Sequence, residues 1–169
     1  MNNYVCKVAD RNELIERWKY LVEIHSVNNI WEKFRDNALN NFDNGNTISY
    51  VGILDGEIIC EATAYINEDA FIDDIDDYDD LLSDERCYLA AFRTNKEYQN
   101  QGYFSELYKF MIDDLKSKGY RKVTLGVEPE EEQNKIIYKK YGFTNLIKIS
   151  TEVYPDGTEI EVEYYEKEI

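Results

Sequence analysis

Tyr98-Gln99-Asn100-Gln101-Gly102-Tyr103-Phe104-Ser105 reads as a polar loop with a mid-loop glycine that opens directly into a helix. A strand-like run, residues 87–94, precedes it, and an amphipathic run, residues 104–118, follows. A junction of this kind forms an anion seat. The first amides of a helix lack carbonyl partners, and the helix dipole adds about half a positive charge at the same end. The loop has neither the Gly-x-Gly-x-x-Gly spacing of dinucleotide sites nor the Gly-x-x-x-x-Gly-Lys-Ser/Thr of nucleoside-triphosphate loops. Both of those readings fall away.

Toward the C-terminus, Leu107, Phe110, Met111 and Leu115 make the apolar face of the helix, with Tyr108 and Ile112 widening it and Gly119 ending it. Residues 122–127 read as a strand with Val123, Leu125 and Val127 on one side. A helix over 133–141 ends at Gly142, and two strands, 146–154 and 159–165, are joined by Pro155-Asp156-Gly157. Toward the N-terminus, Asp55-Gly56 sits between strands 48–54 and 57–66 and predicts a hairpin, because the pair tolerates the positive φ such turns need. Ahead of it lie a short strand (4–8) and two amphipathic helices. The first is expected to be capped by Asn12 and carries Leu14, Trp18, Leu21, Val22 and His25 on one face. The second carries Ile30, Trp31, Phe34, Ala38, Leu39 and Phe42, and stops at Asn44-Gly45-Asn46. The order β-α-α-β-β-β-α-β-α-β-β predicts one α+β domain over residues 1–169 with a mixed sheet flanked by helices.

The chain has 169 residues and a formal charge of −16. That length fits one domain able to bury about 70% of its unfolded surface. The acidity opposes binding to a phosphate backbone, since few counterions would be released, and it favours a cationic partner. Three cysteines, Cys6, Cys60 and Cys87, lie in apolar runs without a Cys-x-x-Cys. They read as small core residues in a reduced, cytoplasmic protein, with no disulfide framework and no metal site. No apolar run approaches the length of a membrane span, and the N-terminus lacks the features of a signal peptide. Residues 68–85 crowd eight aspartates among Phe71, Ile72, Ile75, Tyr78, Leu81 and Leu82. This excursion reads as a solvated connection with hydrophobic anchors or as a flap facing a cation or substrate, and its spacing is not that of a calcium loop.

With these residues in view, Gln99-Asn100-Gln101-Gly102-Tyr103-Phe104 resembles the acetyl-CoA signature of the GNAT superfamily of N-acetyltransferases, Gln/Arg-x-x-Gly-x-Gly/Ala. Val127-Glu128-Pro129 through Ile137-Tyr138-Lys139-Lys140-Tyr141-Gly142-Phe143 is similar to the later motif of that family, a strand end and then a helix reading Leu-Tyr-x-x-x-Gly-Phe. The resemblance covers residues 87–143 specifically and nearly the whole chain in element order. It implies a GNAT-like, largely antiparallel sheet. Phe104 stands where the family prefers Gly or Ala, Glu131 where many members carry Asn, and Asn134 where Ala is common.

The activity implied is direct transfer of an acetyl group from acetyl-CoA to a primary amine in a ternary complex. The resemblance assigns cofactor contact to Phe92, Thr94, Gln99, Asn100, Gln101, Gly102, Tyr103, Phe104, Ser105 and Asn134. It places a carbonyl-polarising donor on the backbone of residues 90–94 and makes Tyr138 the acid that protonates the departing sulfur. The amine must also lose a proton. Glu61, set in an apolar strand whose burial would raise its affinity for protons, Glu128 and His25 are the candidate bases, beside a water relay with no essential side chain. No metal is expected. The acidity favours a cationic small-molecule acceptor such as a polyamine or aminoglycoside over a protein N-terminus or lysine, or an amino acid, and neither nucleic acid nor membrane is expected as a partner. A non-catalytic CoA-binding module and an acidic interaction protein are the rival classes. The resemblance leaves room for a homodimer paired through the C-terminal strands.

Overall fold

The Asp55-Gly56 pair takes φ of 50° and 91°, and the turn it makes closes β2 (Thr47–Leu54) onto β3 (Glu57–Tyr65) in antiparallel register. In this computed structural model, which describes residues 2–27, 29–71, 80–154 and 156–169, that hairpin is the seed of a seven-stranded sheet ordered β1-β2-β3-β4-β5-β7-β6. The remaining strands are β1 (Tyr4–Val8), β4 (Arg86–Thr94), β5 (Lys122–Val127), β6 (Asn145–Val153) and β7 (Glu159–Glu168). The helices are α1 (Arg11–Ile24), α2 (Ile30–Asp43), α3 (Tyr103–Ser117) and α4 (Glu132–Lys140). Among the described residues only β4 and β5 pair in parallel; every other neighbouring pair is antiparallel. This is the α+β architecture and element order that the sequence predicts.

Local signals explain most boundaries. Helix α1 starts two residues earlier than the Asn12 cap implies. Asp10 is its N-cap and accepts from the Glu13 amide at 2.9 Å, while Glu13 reaches back to the Asp10 amide at 2.8 Å. Two donors satisfied by one reciprocal box outweigh a single Asn cap. Strand β7 runs three residues past the expected end, because its pairing with β5 continues to Glu168↔Lys122.

The main core is built from β2 to β5 and the apolar face of α3, with Leu107, Met111 and Leu115 fully buried there. A second cluster joins Leu14, Trp18 and Leu21 of α1 to Trp31, Phe34 and Phe42 of α2. Cys60 and Cys87 are buried core residues, Cys6 is half-buried, and all three are free thiols. Burial pushes the Cys60 thiol up to about 11 and that of Cys87 up to about 12, so neither is a thiolate at neutral pH. The middle of the acidic excursion, residues 72–79, lies outside the described residues. At its flanks Leu81 is buried against Tyr88, Val162 and Tyr164, and the Phe71 ring packs edge-on to Tyr65 at 5.1 Å.

One contact ties β1 to the start of α3. The Tyr4 hydroxyl donates to the Tyr103 carbonyl at 2.8 Å and lies 3.1 Å from the Cys60 sulfur. Gly52 makes room for it, since a Cβ there would fall on the Tyr4 hydroxyl and the Cys60 sulfur. Gly52→Ala is therefore expected to destabilise the fold by about 1–3 kcal/mol through overpacking. Thermal unfolding checks this, and an unchanged Tm would show that the two side chains have space to retreat.

Candidate active site

Strand β4 carries the irregularity on which the site depends. Glu61 of β3 pairs with Arg93, but Thr63 pairs with Ala90, so β4 has an extra residue between these positions. Ala91 takes φ of 58°, an uncommon value for a residue with a Cβ. On its other side β4 follows β5 only from Arg86↔Lys122 to Leu89↔Leu125. Ala91 and Phe92 thus fall outside both registers, and the two parallel strands part beside them. Gly126 and Val127 of β5 pair only with β7.

Two cavities meet at this parting. One, about 590 Å³, is lined by Phe92, Thr94, the loop from Tyr98 to Ser105, and Gln133, Asn134, Ile137, Tyr138, Lys140 and Tyr141. The loop has the form its sequence predicts. Asn100 and Gly102 both take left-handed φ, 60° and 89°, and Gly102 is the N-cap of α3 with no side-chain cap. The first backbone bond of α3 runs from the Glu106 amide to the Gly102 carbonyl at 3.2 Å. Among the described residues the amides of Asn100 to Ser105 donate to no backbone or side-chain acceptor. Loop side chains brace it instead: Gln99 Nε2 donates to the Thr94 carbonyl at 3.1 Å and Gln101 Nε2 to the Glu97 carbonyl at 2.8 Å. Ser105 Oγ lies 3.0 Å from the Tyr141 hydroxyl. A basic side chain is not needed to hold a diphosphate against such a surface.

Phe104, larger than the residue the motif prefers, turns its ring onto Phe92 with centroids 5.0 Å apart and edge-on to Tyr141 at 6.3 Å. Its bulk therefore joins the aromatic floor of the cavity. The Phe92 ring also meets Tyr138 edge-on at 5.9 Å.

The other cavity, about 710 Å³, shares Phe92 and Tyr138 with the first. Its wall includes Arg17 and Trp18 of α1, Trp31 and Phe34 of α2, Glu61, Arg93, Glu128, Glu131, Glu152, Tyr154 and Asp156. Trp18, Trp31, Phe34 and Tyr154 form a chain of tilted and edge-on rings with successive centroids 5.7–6.4 Å apart. Burial, with the Glu131 charge adding to it, pushes the Tyr138 phenol up to about 12.

The candidate bases fare differently. Glu61 is buried, but not in apolar surroundings as its strand suggests. Arg17 Nε donates to one of its oxygens and Arg93 Nη1 to the other at 2.5 Å. Glu128 lines the larger cavity, accepts from the Tyr154 hydroxyl on Oε1 at 3.1 Å, and has Oε2 without a protein donor among the described residues. His25 lines neither cavity. Its ring stacks on Trp31 at 3.7 Å and its Nδ1 sits 2.8 Å from the Leu21 carbonyl, so it closes α1. Arg17, Trp31, Phe34 and Arg93 are wall residues that motif reading passes over. A signal for two members of the site is present all the same: Arg17 interrupts the apolar face of α1 and Glu61 an apolar strand, and two misplaced opposite charges call for each other.

The family model described as Acetyltransferase (GNAT) family matches residues 13–143. The chain belongs to the GNAT acetyltransferase family. It is an acetyltransferase whose acetyl donor is acetyl-CoA. Solved structures share its fold at low identity. A GNAT acetyltransferase from Streptococcus pneumoniae is 18% identical with TM-score 0.67, covering 99% of this chain and 100% of its own. The ribosomal-protein-S18-alanine N-acetyltransferase of Escherichia coli is 17% identical with TM-score 0.68, covering 99% and 94%. A GNAT acetyltransferase from Elizabethkingia anophelis with acetyl-CoA bound is 20% identical with TM-score 0.54, covering 78% and 82%. No curated protein matches the chain. Among the described residues no group of three or more His, Cys, Asp or Glu is arranged to hold a metal, and no helix is long and apolar enough to cross a membrane.

Proposed function

We propose that this enzyme acetylates the primary amine of a cationic small molecule by direct attack on acetyl-CoA, with both substrates bound together. The observation that carries this reading is the meeting of two cavities at Phe92 and Tyr138, where β4 and β5 part. The smaller cavity, with its unpaired amides, suits the diphosphate and pantetheine of the donor. The larger has the size of a small-molecule site. Its aromatic chain and its carboxylates Glu128, Glu131, Glu152 and Asp156 suit an ammonium group.

In this reading Glu128 takes the proton of the entering ammonium through its open Oε2. The neutral amine attacks the thioester carbonyl, a C–N bond forms and the C–S bond breaks. A backbone amide at the Ala91–Phe92 bulge stabilises the negative charge that develops on the carbonyl oxygen. Tyr138 hydrogen-bonds the departing thiolate and gives it a proton, and the resulting phenolate takes up the second proton that the nitrogen sheds as it becomes the amide. Glu61, with both oxygens held by guanidinium groups, is the less suited base.

Thermal shift with acetyl-CoA followed by an amine panel assayed by CoA release tests the proposal. Acetyl-CoA at 100 times its Kd should stabilise the protein by about 2.7 kcal/mol, and di- and polyamines should turn over faster than neutral or anionic amines. The opposite ranking would remove the argument from charge. Binding without turnover of any amine would favour a non-catalytic CoA-binding module.

A further inference from the structure

Two arginines line a cavity whose other charged residues are carboxylates, and they differ in burial and in the partners that hold them. Arg17 is 2% exposed. Its Nε donates to Glu61, and its Nη1 to the Asn95 side chain at 2.6 Å and the Ile58 carbonyl at 3.2 Å. Arg93 spends one nitrogen, Nη1, on the other Glu61 oxygen. Its side chain is 29% exposed, and its Nε and Nη2 have no protein acceptor among the described residues. One carboxylate against two guanidiniums leaves this cluster formally at +1.

Arg93 is also held still. Its guanidinium carbon lies 5.5 Å from the ring centre of Trp18 and 5.1 Å from that of Trp31. Glu61 fixes one edge of the fork and two indoles bound its surroundings, so little side-chain freedom is left to lose when a ligand meets the free edge. The anchor sits one residue beyond Phe92, the ring common to both cavities. A planar, preorganised fork with free N–H groups is suited to a carboxylate.

We infer that the acceptor carries a carboxylate that is held by Arg93, a few bonds from the amine that is acetylated. This rests on the reading of the larger cavity as the acceptor site. The acceptor class it defines is a cationic amino acid or a close relative: an amine for the reaction, a carboxylate for Arg93, and a second ammonium for the acidic wall of Glu131 and Asp156.

Matched pairs that differ by the carboxylate decide the matter: L-lysine against 1,5-diaminopentane, and L-ornithine against 1,4-diaminobutane, assayed by CoA release with the full chain. The expected result is a kcat/KM at least about tenfold higher for the amino acid of the better pair, as one charge-assisted fork contact supplies. Arg93→Met should bring that ratio close to one and Arg93→Lys should keep part of it. The ratio within one preparation does not depend on the fraction of folded enzyme, so a poorly folding variant remains informative. A wild-type preference for the diamine, or none, overturns the inference and leaves the cationic acceptor standing. A preference that survives Arg93→Met unchanged overturns the role of Arg93. Turnover of neither member, with acetyl-CoA still protecting the protein, overturns the acceptor reading and this inference with it.

Discussion

Tyr138→Phe is expected to lower kcat by about 100-fold, in the range one positioned proton donor contributes, with little change in acetyl-CoA affinity. The substitution removes one oxygen and keeps the ring that packs on Phe92. Because burial pushes the phenol up to about 12, Tyr138 stays protonated well past pH 10. Its donor role is present below that pKa and is lost only above it. The wild-type rate should therefore show no alkaline decline from this group between pH 7 and 10. Steady-state kinetics of both proteins across that range provide the check. An unchanged kcat would remove Tyr138 from the chemistry and reduce it to a wall shared by two cavities.

Glu61→Gln is expected to cost about 3–5 kcal/mol of stability, the usual penalty for removing one partner from a buried ion pair. Arg17 would keep its charge in a site where it is 2% exposed and would lose its carboxylate partner, the only one it has among the described residues. The interaction spans three elements: Arg17 on α1, Glu61 on β3 and Arg93 on β4. For a chain of this size the loss corresponds to a Tm lower by on the order of 10 °C, readable by calorimetry. A change of a degree or two would mean that solvent or Asn95, already bonded to Arg17 Nη1, compensates the stranded guanidinium.

Much of this molecule is written locally in its residues. Asp55-Gly56 specifies its hairpin, Gly102 and Gly119 bracket α3, and period-2 and period-3.6 patterns separate strands from helices because each element buries one face. Element ends shift by a few residues where pairing or capping across a turn decides them, as with Asp10 and Glu13. The loop around Gly102 is legible because an anion seat is built from consecutive residues. The larger cavity is not, because its walls come from α1, α2, β3, β4 and the β6–β7 turn, and nothing local says that Trp31, Phe34, Arg93 and Tyr154 converge. Glu61 shows the limit most clearly. Its strand suggests an isolated carboxylate, and the answering cations come from 44 residues before it and 32 after.

The two rings common to both halves of the cleft, Phe92 and Tyr138, have a pharmacological consequence. A molecule that joins the CoA sulfur to an acceptor amine through a short acyl bridge would pass between them and occupy both halves at once. Tethering turns the second association into an intramolecular one, so such a bisubstrate compound should bind far more tightly than either fragment. Its acceptor half could then be varied to report which amine this cleft was shaped to receive.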